Sequence, residues 1–332
     1  MRFHGRESGF IGTQVQFGRA LETGKVLSVA CRDGRCERKT PANAMRSFYV
    51  AVNGVRLSVT DWGGDGSAVL FAHPTGFLGA VWRPVIDQMR AAGFSGRVLT
   101  FDQRGHGLSS KPDHGYEWSN FVDDVRELIA ALELRNFVGV GHSAGATTLA
   151  CASARDPGRA TGLVLIDPIL IDPGMSEFRR GRDNPMAAKT RTRRLVWSSR
   201  AELYESFRQR APYDTWTDEA LCAYVDEGTF ERPDGEYELY CPGRIEAQIY
   251  QNADSIDGFA CLAALRIPAL IVRGERTDSF DEARASRALS CLRAGRLLTV
   301  PGATHYVPME HPRLIAELVL AAHSERGYTE PT

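Results

Sequence analysis

The segment Gly141-His142-Ser143-Ala144-Gly145 sets a serine between glycines two positions to either side. It follows the apolar run Phe137-Val-Gly-Val140 and precedes a small-residue helical stretch, Ala144 to Ala154. A strand that turns sharply into a helix through Gly-x-Ser-x-Gly exposes the serine hydroxyl at the sheet edge. Small neighbours are required because the turn is strained and crowded. The helix that starts there aims backbone N–H groups at an arriving oxyanion. The chemistry this arrangement suits is attack on a carbonyl with Ser143 as nucleophile.

Such an attack needs a base, an acid to orient it, and two oxyanion donors. Of eight histidines, His305 sits best for the base, in the loop Pro301-Gly-Ala-Thr-His305-Tyr-Val-Pro308 after the last strand. His142 adjoins the serine, but its side chain should leave the elbow in another direction. We place the acid at Asp278, in Arg273-Gly-Glu-Arg-Thr-Asp278, with Glu275 and with Asp167 at the end of the Leu163–Ile166 run as alternatives. One oxyanion donor is the N–H of Ala144, the residue after the nucleophile. The other we assign to Thr75 in His73-Pro74-Thr75-Gly76, because Pro74 has no N–H to give. His73 is expected to shape that loop through hydrogen bonds rather than to transfer protons. Asp102-Gln-Arg-Gly-His106-Gly-Leu-Ser109 is a glycine-rich turn with no helix opening inside it, so it reads as a structural loop beside the pocket and not as a dinucleotide site.

These residues lie on elements that alternate. Asn53-Gly54 between alternating apolar residues predicts a hairpin over Phe48 to Val59. Strands are predicted at 68–72, 97–101, 137–140, 162–166, 269–272 and 297–300. Phe121, Val125, Leu128, Ile129 and Leu132 mark one face of a helix from Trp118 to Leu134. The alternation argues for a largely parallel sheet with helices on both faces. Residues 169–254 interrupt it. That length exceeds a simple loop, and helices at 200–210 and 217–227 with no strand run predict a helical cap. Its arginines read as a solvated face and its aromatics as cap core. The assigned organisation is an extension over 1–44, loosely ordered, a core of 45–168 and 255–328, and the cap.

At this point the chain resembles the α/β-hydrolase superfamily. Gly-His-Ser-Ala-Gly, Asp-x-Arg-Gly-His-Gly-x-Ser and the terminal Gly-Ala-Thr-His loop stand in the family's order over about residues 45–325. The resemblance implies an α/β fold with a mostly parallel eight-stranded sheet and a cap inserted after the sixth strand. The chain order Ser143, Asp278, His305 suits that fold. It also implies a serine hydrolase acting on a small-molecule ester or lactone through an acyl-enzyme, with no metal and no organic cofactor. Alternatives on the same triad are C–C bond hydrolysis and cofactor-free perhydrolysis of the haloperoxidase kind; a non-catalytic ligand receptor is a further one. Epoxide hydrolases and haloalkane dehalogenases of this fold use an aspartate nucleophile, which Ser143 argues against. His73-Pro-Thr-Gly departs from the commoner His-Gly start of the oxyanion loop.

Composition closes off other classes. The 332 residues carry Lys+Arg 40 against Asp+Glu 41, which gives none of the basic excess of a nucleic-acid binder. No apolar stretch approaches the ~18 residues of a spanning helix, so no membrane insertion is expected. No signal-peptide core opens the chain, and the cytoplasm is the expected compartment. Seven cysteines in a long chain read as ordinary thiols rather than a disulfide framework, and Cys31 and Cys36 have no nearby second pair for zinc. A monomer or homodimer acting on a small molecule is the expectation.

Overall fold

The computed structural model describes residues 45–173 and 184–324. The assigned extension, 1–44, and part of the arginine-rich start of the cap lie outside the described residues. The strands, in chain order, are β1 (Arg46–Val52), β2 (Val55–Asp61), β3 (Asp65–Ala72), β4 (Gly96–Phe101), β5 (Phe137–His142), β6 (Ala160–Ile166), β7 (Val196–Trp197), β8 (Thr229–Glu231), β9 (Tyr237–Leu239), β10 (Ala269–Gly274) and β11 (Gly295–Val300). Eight of them form one sheet in the order β1-β2-β4-β3-β5-β6-β10-β11. Both pairings of β2 are antiparallel and all the others are parallel. The eight-stranded α/β sheet and the hairpin at Asn53-Gly54 therefore stand as read from the sequence.

Alternation along the strands divides the core in two. Leu70, Ala72, Leu99, Leu163, Leu165 and Ile271 face one side, under helices Trp118–Ala131, Ala144–Arg155, Gly258–Ala264 and Glu282–Cys291. Val69, Phe71, Val98, Val140, Val164 and Val272 face the other, under helices Arg83–Ala91 and Pro312–Ser324. Because both faces are covered, β3, β5 and β6 carry near-continuous apolar runs. The functional loops then have one place to go, the carboxyl-end edge of the parallel strands.

The cap follows β6, the sixth strand. It holds helices Pro185–Arg191, Arg200–Arg208, Asp218–Glu227 and Gly243–Gln251. The expectation of a cap without strands needs correction, since β7, β9 and β8 form a small antiparallel sheet there. Strands of two and three residues are too short to show a period of 2. The thiol reading also needs correction: Cys151 and Cys261 form a disulfide between the helices Ala144–Arg155 and Gly258–Ala264, whereas Cys222, Cys241 and Cys291 are not disulfide-bonded. Among the described residues no helix is long and apolar enough to cross a membrane.

Candidate active site

Ser143 stands between β5 and the helix Ala144–Arg155 with φ 55° and ψ −123°. Positive φ is costly for a residue with a Cβ, and here the surroundings enforce it. Its N–H donates to the Ile166 carbonyl on β6, and its own carbonyl accepts from the N–H groups of Ala146 and Thr147. The glycines of the motif are sterically obligatory. A Cβ on Gly141 would fall 2.5 Å from Ala146 Cα, and one on Gly145 2.5 Å from the Ala72 and His73 carbonyl oxygens. The helix therefore starts hard against the end of β3. Ala144 is its first residue, so its N–H has no carbonyl a turn earlier to bond.

The imidazole of His305 sits in the loop after β11. Its Nδ1 lies 2.7 Å from Asp167 Oδ1. Asp167 is fully buried at the end of β6, also with positive φ, 43°. The same Oδ1 accepts from Thr277 Oγ1 at 2.8 Å and Ser279 Oγ at 3.0 Å, and Oδ2 accepts from Gly274 N–H at 3.2 Å. Ser279 Oγ is also 2.8 Å from His305 Nδ1. Asp167 thus has a donor set for an ionised carboxylate, and Nδ1–H points at it, which leaves Nε2 as the basic nitrogen.

The assignment of the acid to Asp278 is corrected by this geometry. Asp278 is exposed, as is Glu275, whose carboxylate instead accepts from Gly302 N–H at 2.8 Å. Side chains alternate along the loop after β10, so Thr277 and Ser279 turn to Asp167 while Asp278 between them does not. The register explains where Asp167 lies: His142 on β5 pairs with Ile166 on β6, so the residues that follow, Ser143 and Asp167, are neighbours across the sheet edge. Ser279 and Thr277 were not read from the sequence as site residues. Hydroxyls beside a carboxylate-rich turn carry no signal of their own.

His142 also has a part that the sequence did not suggest. Its Nε2 donates to the His305 carbonyl at 2.8 Å, so the residue before the serine anchors the histidine loop. Burial holds its pKa well below the usual value, so the ring is neutral.

Thr75 is buried in the loop after β3. The two N–H groups that follow it are occupied: Gly76 donates to His106 Nε2 at 2.9 Å and Phe77 to the Pro74 carbonyl at 3.4 Å. His73 shapes this loop, as expected. Its Nδ1 meets the Pro74 carbonyl at 2.8 Å, and its Nε2 accepts from Gln103 N–H at 2.9 Å. Asp102, in the glycine-rich turn after β4, accepts from Gly79 and Leu108 N–H groups at 2.8 and 2.9 Å. That turn braces the loop carrying Thr75.

Comparison with known proteins agrees with this fold. The profile of the Alpha/beta hydrolase family matches residues 69–318. The 2-(acetamidomethylene)succinate hydrolase of Mesorhizobium japonicum is 28% identical over 276 residues, covering 82% of this chain and 93% of that protein. A non-heme haloperoxidase of Rhodococcus erythropolis is 26% identical over 266 residues, 78% of this chain and 92% of its own. The crystal structure of E-2-(acetamidomethylene)succinate hydrolase superimposes with a TM-score of 0.73 at 25% identity, covering 85% of this chain and all of that one. Since the matched segment runs from β3 to the final helix, well over half of the sequence, the chain belongs to the alpha/beta hydrolase family.

Proposed function

We propose that the chain is a serine hydrolase that cleaves a small-molecule carboxylic ester or lactone through an acyl-enzyme on Ser143. The observation that carries this reading is the 2.7 Å contact between His305 Nδ1 and buried Asp167, at the sheet edge where Ser143 is held in a strained turn. In the first half-reaction Ser143 Oγ attacks the carbonyl carbon while His305 Nε2 takes its proton. Asp167 stabilises the imidazolium that forms. The N–H groups of Ala144 and Thr75 receive the tetrahedral oxyanion. Collapse expels the alkoxide, which takes the proton from His305. Water, deprotonated by the same nitrogen, then attacks the acyl-enzyme and releases the acid.

Replacing Ser143→Ala is expected to abolish p-nitrophenyl ester hydrolysis with the far-ultraviolet circular dichroism unchanged. Undiminished turnover by that variant would remove Ser143 from the mechanism. Likeness to the haloperoxidase favours a second reading, perhydrolysis, in which hydrogen peroxide replaces water as the acyl acceptor. Peracid formation from a carboxylic acid and peroxide, lost in the same variant, distinguishes it.

A further inference from the structure

The cap sets a guanidinium–carboxylate pair against the loop that carries Thr75. Arg193 Nη2 lies 2.8 Å from Glu246 Oε2, and Glu246 is only 4% exposed. A Cβ built on Gly76 would fall 2.6 Å from Glu246 Oε1, so this carboxylate touches the backbone one residue past the proposed oxyanion donor. Phenols surround the pair. Tyr224 Oη donates to the Gly76 carbonyl at 3.4 Å, and Tyr250 is hydrogen-bonded to Glu246. Tyr306, the residue after His305, lies within the fields of Glu246, Asp278 and Arg193. Burial pushes the hydroxyls of Tyr213, Tyr224, Tyr250 and Tyr306 upward, so they stay neutral. Among the described residues the buried Nε–H of Arg193 has no acceptor.

The region beside the oxyanion loop therefore holds a cancelled positive charge, a further carboxylate, and hydrogen-bond donors. An arriving carboxylate would shed water and gain no net attraction. An uncharged oxygen, as in a carbonyl, ether or hydroxyl, could accept from the Arg193 Nε–H at little cost. We propose that Glu246 is a specificity-determining residue: by neutralising Arg193 it fits this subsite to uncharged, oxygen-bearing acyl groups and rejects carboxylate-bearing ones. The inference rests on Ser143 being the residue that is acylated.

The test uses two fluorophosphonates that differ only in a terminal carboxylate, each rate being normalised to the probe's own hydrolysis. Labelling of Ser143 replaces the P–F bond by an O–P bond, so it reads access and activation without requiring ester turnover. In the unmodified chain the neutral probe should label about tenfold faster or more. Glu246→Gln frees the guanidinium and should narrow that ratio by about 10- to 100-fold, the range of a hydrogen bond to a charged group. Arg193→Gln removes the positive partner of Glu246 and should leave the ratio as wide or wider. Equal labelling of the unmodified chain by both probes overturns the proposal, as does a ratio unmoved in folded Glu246→Gln. If Glu246→Gln does not fold, the unmodified chain and Arg193→Gln decide it, and a narrowed ratio in the latter counts against it. Ester turnover is followed in parallel. Labelling without turnover rejects the esterase reading alone, and no labelling by either probe overturns both.

Discussion

Asp167 collects three donors on one carboxylate oxygen, His305, Thr277 and Ser279, and a backbone N–H on the other. An amide in its place could keep some of these contacts, but it carries no charge to stabilise the imidazolium and can present its NH2 to Nδ1, selecting the wrong tautomer. Asp167→Asn should therefore cut kcat by about 10³–10⁴-fold, as loss of the acid does in triads of this kind. Asp278→Asn, at an exposed position, should change kcat by less than about tenfold. Steady-state kinetics on one p-nitrophenyl ester check both, and the reverse ranking would return the acid to Asp278. The contrast shows how far single residues can be read. The placement of Ser143 at the turn and of His305 in its loop was legible because glycines and loop position constrain their neighbours. Which carboxylate lies beside His305 was not, because Asp167, Glu275 and Asp278 all follow strands, and only register and burial choose among them.

At the scale of elements, the elbow depends on the helix Ala144–Arg155 meeting β3 backbone to backbone. Gly145→Ala would place a methyl 2.5 Å from two carbonyl oxygens that belong to the strand end and cannot swing aside as a side chain could. The helix must then tilt away, taking the Ala144 N–H with it. A loss of more than about 2 kcal/mol is expected in denaturant unfolding, with a fall in kcat larger than any rise in KM. Wild-type stability in this variant would mean that the close approach is not required. The elements themselves were visible where they are long: the central strands β5 and β6 are buried on both faces, and the helix Trp118–Ala131 shows its apolar stripe. Two kinds of feature escaped. The cap strands are too short to have a period, and the Cys151–Cys261 pair depends on two helices 110 residues apart in sequence coming within 4.9 Å between Cα atoms. Neither distance nor partner is written in local sequence.

For the whole molecule, the buried imidazoles tie stability to pH. His73, His106 and His142 are fully buried. His73 Nε2 accepts from Gln103 N–H and His106 Nε2 from Gly76 N–H, while each Nδ1 faces a carbonyl oxygen. A proton added at Nε2 would set two donors head to head in a fully buried site. Burial accordingly lowers His73 to about 4, and holds His106 and His142 well below the ordinary value. The unfolded chain takes up these protons near pH ~6.5, before the folded one does. Stability from the rings is thus complete above that pH and is lost as pH falls toward the folded values. The raised carboxyls of Asp87, Asp124 and Glu246 act in the opposite sense, since the folded state protonates them first. A histidine variant separates the two. His106→Gln retains an oxygen to accept from Gly76 N–H but cannot be protonated. The variant should be less stable than wild type near neutrality, and the gap should narrow as pH is lowered from about 7 to about 4.5. Thermal or urea unfolding of both proteins across that range measures the gap directly. A constant gap would mean that His106 is not held neutral against its proton, and that the brace under the Thr75 loop draws its strength from packing alone.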